Sequence, residues 1–397
     1  SWPGQTHPSL DDIKSEWREG APAAYLTFYR ALVLSGSTEP VDAAIAALQA
    51  EGLNPLPVFV QSLKDELSVA LLEQLLEEAA PGVVLNMTSF AVAVPGEERR
   101  LPVFEASGCP VLQLVLSAQN EARWREGVTG LTARDIAMNV ALPEVDGRII
   151  TRAAAFKAET EYDEVTQSSV TRHKAEPGRM AFIARLAANW CRLARTEVQE
   201  RRAALVLANY PNRDGRIGNG VGLDTPQSTI NLLRFLKDEG YGVRNLPDDG
   251  TALMATLTAG PTNDLAARAG RQGGARLPLE TYETLFAALP ETLQAEVTAR
   301  WGAAADDPFI EREGGEAFFR LPVLDCGAVQ IGIQPARGYN IDPKGSYHDP
   351  ALVPPHSYFA FYIWLRDVWG AQAFIHMGKH GTLEWLPGKA AALSEGC

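Results

Sequence analysis

The residues best suited to chemistry crowd the end of the chain. Of six histidines in 397 residues, His348, His356, His376 and His380 lie at or beyond position 348, with only His7 and His173 before them. The segment His376-Met377-Gly378-Lys379-His380-Gly381-Thr382-Leu383-Glu384 sets two imidazoles and a carboxylate at successive four-residue steps. Imidazole binds borderline divalent metals and titrates near neutrality, and a carboxylate accepts protons. On a helix these three groups would share one face. Gly378 and Gly381 favour a loop instead, expected at the C-terminal end of a strand over Ala371–Ile375, where open α/β sheets bind ligands. A zinc-protease reading fails, because Met377 stands where the general-base glutamate should follow the first histidine. One histidine of such a cluster is ordinarily structural. Four of them together with Glu384 and Lys389 point to a site.

A second cluster precedes it. Asp214-Gly215-Arg216-Ile217-Gly218-Asn219-Gly220-Val221-Gly222 lies in a loop, Asn209–Gln227, between an expected strand, Ala203–Ala208, and an expected helix, Ser228–Gly240. Backbone N–H groups in such a turn favour anions. Leu223 stands where a dinucleotide fingerprint wants glycine, and the Gly-Lys-Ser/Thr ending of a nucleotide P-loop is absent. A tight structural turn, nucleotide binding, and recognition of a substrate carboxylate or amide through Asn219 and Asp224 all remain open. Between the clusters, Gln334, Arg337, His356 and Tyr358 add polar and aromatic candidates. Metal insertion into a tetrapyrrole needs these types together. Histidines and a carboxylate hold the ion loosely and remove ring N–H protons. Aromatic residues such as Tyr358, Phe359, Trp364 and Trp385 pack the ring, and Arg337 or Lys389 pairs its peripheral acids. The same aromatics read equally as core.

These groups must be positioned by α/β elements. Apolar Tyr25–Leu34, helical Val41–Gly52, strand Leu56–Val60, helix Leu63–Ala80, strand Val83–Leu85 and strand Val111–Leu116 alternate as a parallel sheet with crossover helices does. Met180, Ile183, Ala187, Trp190 and Ala194 then recur at helical spacing. Later elements are expected over Thr251–Leu257, Tyr282–Trp301 (broken at Pro290), strand Val329–Ile333 and helix Tyr358–Val368. The pattern predicts two to three consecutive α/β segments with mostly parallel sheets: a lead-in over 1–20, a first domain over 21–175, a second with linking helices over 176–320, and a third, site-bearing segment over 321–397. Arg337 and the loop Asn209–Gln227 are expected to face one cleft.

Composition narrows the function. A net charge of −13 argues against nucleic acid or an anionic membrane as the main partner. Four scattered cysteines form neither a disulfide framework nor a zinc ribbon, so a reducing cytoplasm is the default. No apolar run reaches the roughly 20 residues of a membrane helix. No Walker-type loop occurs, so any ATP hydrolysis is expected of another protein. The chain opens without Met and stops just after its densest motif, so both ends read as cut from something longer.

The longer motifs carry a resemblance. "HMGKHGTLEWLPGK" (His376–Lys389) resembles the signature of the family formed by the cobaltochelatase large subunit and the porphyrin-binding large subunit of magnesium chelatase. "QPARGYN" (Gln334–Asn340), "PPHSYFAFYIWLR" (Pro354–Arg366), "ANYPNRDGRIGNGVGLDTPQS" (Ala208–Ser228) and "MNVALPEVDGRI" (Met138–Ile149) look like blocks of the same family. Trp385-Leu386 and the wording of Ala208–Ser228 resemble the cobalt branch. The resemblance implies a tetrapyrrole- and metal-binding subunit of an ATP-dependent ligase of cobalamin biosynthesis. Such an enzyme inserts Co²⁺ into hydrogenobyrinic acid a,c-diamide, with ATP and Mg²⁺ used by an AAA+ ATPase and a second small subunit. It implies that Glu384 is the essential motif glutamate, with His380 just before it; from their chemistry, His376 and His380 are expected to receive the metal, and His380 and Glu384 to be catalytic. A magnesium branch acting on protoporphyrin IX and a non-catalytic corrinoid-docking module are the competing readings.

Overall fold

A computed structural model describes residues 2–4, 8–93, 102–210, 212–268, 270–338, 349–379 and 381–394. The fold is α/β with mostly parallel sheets and helices between strands. The described chain divides into two compact units, Ser1–Arg195 with Lys389–Ser394, and Thr196–Gly388.

In the first unit, β1 (Ala23–Tyr29), β2 (Asn54–Val60), β3 (Pro81–Asn86), β4 (Val111–Leu116), β5 (Ile149–Asp163) and β6 (Ser168–Ala175) form one sheet in the order β2-β1-β3-β4-β5-β6. All neighbours run parallel except β5 and β6, an antiparallel pair. Parallel strands buried on both faces read as apolar runs, and Ala23–Phe28 is buried throughout. One face packs Leu26, Phe28 and Leu114 against the helices Glu39–Ala50 and Pro177–Arg195, through Val41, Ile45, Leu48, Met180, Ile183 and Ala187. The other packs Tyr25, Val58 and Val84 against the helix Glu66–Glu78 through Leu72. That helix begins at Asp65, whose carboxylate accepts from Ser68 N at 2.9 Å, an N-cap bond that ends the preceding loop. The segment Lys389–Ser394 belongs to this unit. Trp124 Nε1 donates to Ala392 O at 3.0 Å, and Arg179 Nη1 donates to Leu393 O at 2.6 Å.

In the second unit the strands are β7 (Ala203–Leu207), β8 (Ala275–Pro278), β9 (Ile310–Glu313), β10 (Glu316–Leu321), β11 (Val323–Asp325), β12 (Val329–Ile333) and β13 (Ala373–Met377). The main sheet runs β11-β12-β7-β13, with β12 and β13 parallel to the central β7 and β11 antiparallel at the edge. A smaller antiparallel sheet runs β8-β10-β9. Strands expected in a second and a third segment therefore share one sheet, because β12 and β13 flank β7. All five residues of β7 are buried, as a central parallel strand requires. Leu205 and Leu207 pack on the helices Thr225–Asp238 and Gly250–Ala259 through Ile230, Leu233 and Leu253. Ala204 and Val206 face Tyr282, Phe286 and Phe361 on the opposite side. The helix over Leu279–Phe286 stops before Pro290, and a second begins at Glu291.

Candidate functional site

Three loops leave the same end of this sheet. Central β7 runs into Ala208–Asp224, and its neighbours β12 and β13 run into Gln334–Gly338 and Gly378–Gly388 on either side. This C-terminal edge is where open α/β sheets place ligands. Backbone ties the loop after β7 to the loop after β13, and the start of the loop after β12 to the end of β7. Gln334 N donates to Leu207 O and Ala208 N to Met377 O, both at 2.9 Å. A β-bridge pairs Gly220 with Lys379, and Gly218 N donates to Ala208 O at 2.7 Å. The glycines serve that close approach. A Cβ on Gly378, whose φ is +126°, would stand 2.7 Å from Ala208 Cβ, and one on Gly220 would stand 3.3 Å from Lys379 N.

The strand carries two residues more of the motif than the sequence suggested. β13 spans Ala373–Met377 rather than 371–375, so His376 lies in the strand, in register with Val206, and the loop starts at Gly378. Alternation splits this edge strand. Ile375 and Met377 join the core behind Leu205 and Leu207, while Phe374 and His376 lie beside Tyr362, with ring centroids 6.2 Å away in each case. His380 and the side chain of Glu384 lie outside the described residues, as does His348. The backbone of Glu384 sits in the short 3-10 turn Leu383–Trp385. Among the described residues, no three His, Cys, Asp or Glu side chains assemble into a metal-holding group.

Gln334 is the hub of the edge. Its side chain is fully buried. Its Oε1 accepts from Thr382 N at 2.9 Å, its Nε2 donates to Tyr362 Oη at 3.2 Å, and its carbonyl accepts from Asn263 Nδ2 at 2.8 Å. Tyr358, named in the sequence as a ring-packing candidate, is buried with its hydroxyl 2.9 Å from Thr382 Oγ1. Burial first, and then the neighbouring Tyr362, push this phenol well above its ordinary value, so it stays protonated.

Three further candidates are engaged by the protein itself. His356 lies in the apolar core with Nε2 3.1 Å from Gly302 O and Nδ1 2.7 Å from Tyr282 Oη. A carbonyl only accepts, so Nε2 carries the proton and Nδ1 takes the tyrosine's. Neither nitrogen is left for a ligand, and burial pulls the imidazole below its ordinary value, keeping it neutral. Arg337 is buried, and its Nη2 donates to Asp349 O at 2.7 Å and Leu352 O at 3.3 Å. Lys389 belongs to the first unit, where its ammonium donates to Gly127 O at 2.6 Å and Arg125 O at 2.8 Å and lies 5.5 Å from the Trp124 ring centroid.

The glycine-rich loop has its own scaffold. Asp224 accepts from Gln227 N at 3.1 Å and caps a helix that begins at Thr225, three residues earlier than the sequence suggested, with Pro226 in its first turn. Asn219 Nδ2 stands 3.5 Å from Tyr210 O. Asp214 is paired with Arg271 at 2.7 Å, and Arg271 also donates to Thr262 Oγ1 at 2.8 Å. Arg337 and this loop occupy the same end of adjacent strands, with the guanidinium beneath the surface.

Beside this edge lies a cavity of about 300 Å³. Tyr358, Phe359 and Tyr362 form one wall, Leu289 and Leu293 another, and Leu383, Leu386 and Pro387 of the motif loop a third. Its lining is largely apolar and aromatic and includes the charged residues Glu296 and Arg366. The sequence did not mark Leu293, Tyr362, Thr382 or Asn263. Tyr362 and Thr382 sat inside quoted motifs without any charge or metal-binding atom to single them out.

Residues 3–397 match the family model described as CobN/Magnesium Chelatase. The chain belongs to this family. It is 54% identical over 404 residues to the aerobic cobaltochelatase subunit CobN of Sinorhizobium sp, covering 100% of this chain and 31% of that protein. Against the H-type magnesium-chelatase protein of Rhodobacter capsulatus the identity is 28% over 390 residues, covering 93% of this chain and 31% of that one. The solved catalytic subunit of cobaltochelatase from Mycobacterium tuberculosis superposes with a TM-score of 0.80 at 33% identity, over 95% of this chain and 32% of the other. The chain thus spans about a third of the length of the relatives it matches.

Proposed function

We propose that this chain supplies the tetrapyrrole- and metal-handling edge of an ATP-dependent cobaltochelatase, which inserts Co²⁺ into hydrogenobyrinic acid a,c-diamide during aerobic cobalamin biosynthesis. The observation that carries the proposal is the meeting of the three motif loops at one sheet edge beside an apolar, aromatic cavity. The cavity takes one flank of a flat macrocycle, and the polar loops face its metal-binding centre. His376 and His380 receive the incoming ion as substrate, since Co²⁺ accepts imidazole readily. Glu384 takes up a ring N–H proton. A carboxylate partly desolvated beside an apolar ring has its pKa raised and is the better base for it. Asn219 and Asp224 stand at the neighbouring loop, toward the macrocycle's amides and acids. The greater likeness to the aerobic cobaltochelatase protein than to the magnesium-chelatase one supports cobalt over magnesium.

The remaining machinery lies in other chains. An AAA+ ATPase and a second small subunit bind and hydrolyse ATP with Mg²⁺, and the complex works in the cytoplasm. Among the described residues, no helix is long and apolar enough to cross a membrane. The test is Glu384→Gln in a full-length subunit carrying this sequence, which keeps shape and removes the base. Retained macrocycle binding with collapsed metal insertion is expected. Unchanged insertion would move the proton acceptor elsewhere.

A further inference from the structure

Gln334 does not face solvent, and its side chain joins the two ends of the histidine motif. We propose that Gln334 is a positioning residue that fixes the motif loop, acting through Thr382 on one side and Tyr362 on the other. The proposal rests on the function argued above and deepens it.

The geometry is closed. Thr382 lies two residues before Glu384, and its backbone N–H is held by Gln334 Oε1 at 2.9 Å while its hydroxyl meets Tyr358 Oη at 2.9 Å. Its N–H and hydroxyl are thus anchored to the residue that follows β12 and to the helix His356–Ile363. On the opposite side Gln334 Nε2 reaches Tyr362 Oη, and the Tyr362 ring lies nearly parallel to the His376 imidazole, at 21° between planes. The backbone of Gln334 is fixed in turn through Leu207 O and Asn263 Nδ2. One amide therefore holds Thr382 directly and bears on His376 through the Tyr362 ring, the two residues on either side of position 380. An amide suits this place, because Thr382 N–H needs an acceptor and Tyr362 Oη is offered a donor from the same terminal group. The site is fully buried, so either loss leaves a polar group without water. Residues that orient a reacting group from behind are worth about 10–100-fold in affinity or rate.

The test uses Gln334→Met, which keeps volume and removes both bonds, and Gln334→Glu. The protonated acid reproduces the donor and the acceptor, while the buried carboxylate is disfavoured. Two readouts are taken. Amide exchange at Thr382 is measured in the purified protein, and metal insertion is measured in a full-length subunit reconstituted with its partners. In Gln334→Met, exchange at Thr382 is expected to rise by about 10-fold or more. In the same variant kcat is expected to fall by about 10–100-fold with the macrocycle KM little changed. Gln334→Glu is expected to recover activity as the pH is lowered toward about 6, which Gln334→Met cannot do. Unchanged exchange at Thr382 overturns the proposal. So does a raised KM with unchanged kcat, which would make Gln334 a macrocycle contact, or a pH profile of Gln334→Glu parallel to wild type. Failure of the wild-type subunit to insert metal refutes the functional reading instead, and the exchange measurement still decides the role of Gln334.

Discussion

Gly378→Ala tests the packing that brings the loops together. Gly378 has φ +126°, a conformation L side chains rarely adopt, and holding alanine there costs on the order of 1–3 kcal/mol. Its new Cβ would also stand 2.7 Å from Ala208 Cβ, and relieving such a contact between packed segments costs roughly 1–3 kcal/mol more. The two together give about 2–6 kcal/mol, a large part of a domain's ordinary stability. They can be separated. Ala208→Gly removes the facing methyl and leaves the backbone strain, so the double variant is expected to be more stable than the sum of the single changes by about 1–3 kcal/mol. The assay is urea denaturation of the four proteins of the cycle. Amide exchange of β7 and β13 assigns the transition to the second unit. Gly378→Ala within ~0.5 kcal/mol of wild type, or strictly additive effects, would refute the argument that Gly378 is present for close approach to Ala208.

Two further outcomes follow from other parts of the chain. An unfolded histidine titrates near about 6.5, and burial holds His356 below that. Between the two values the unfolded chain carries a proton that the folded chain lacks. Stability is therefore full above about 6.5 and falls as the pH drops, by up to about 1.4 kcal/mol per pH unit for this group. His356→Gln keeps an acceptor for Tyr282 and a donor for Gly302 without titrating, and is expected to flatten the slope of stability against pH. Equal slopes in the two proteins would contradict the buried neutral imidazole. Gly130→Ala, at φ +76°, would drive a Cβ into the Ala391 carbonyl. It is expected to raise amide exchange over 389–394 and to lower the stability of the first unit by about 1–3 kcal/mol, and unchanged exchange there would argue against the contact.

The parallel architecture could be read from the chain because buried strands write themselves as short apolar runs, as in Ala203–Leu207 and Val329–Ile333, with helices at 3.6-residue spacing between them. The long antiparallel pair β5 and β6 left little trace, since Lys157–Asp163 alternates charged residues with Ala158, Thr160 and Tyr162 and offers no run of large apolar side chains. Sheet membership was hidden as well. Only pairing, which links Val206 to both Gly332 and His376, shows that two sequence segments make one sheet. At the candidate site, the spacing of His376, His380 and Glu384 drew attention to the loop after β13, but residue type could not tell an exposed group from a buried one. Gln334, Arg337, His356 and Lys389 all carry groups suited to a substrate, and each spends them on carbonyls, hydroxyls or amides of its own chain. Their partners lie from 12 to 264 residues away in sequence, beyond any local pattern.

The central claim is that this sheet edge serves cobalt insertion, and reconstitution measures it most directly. A full-length subunit carrying this sequence is incubated with its two partner subunits, ATP, and either Co²⁺ with hydrogenobyrinic acid a,c-diamide or Mg²⁺ with protoporphyrin IX. The metallated ring is followed by its absorbance. The account predicts cobalt-corrinoid formation that requires all three subunits, with no ATP hydrolysis by the large subunit alone. Magnesium insertion into protoporphyrin, or macrocycle binding without insertion of either metal, would contradict it.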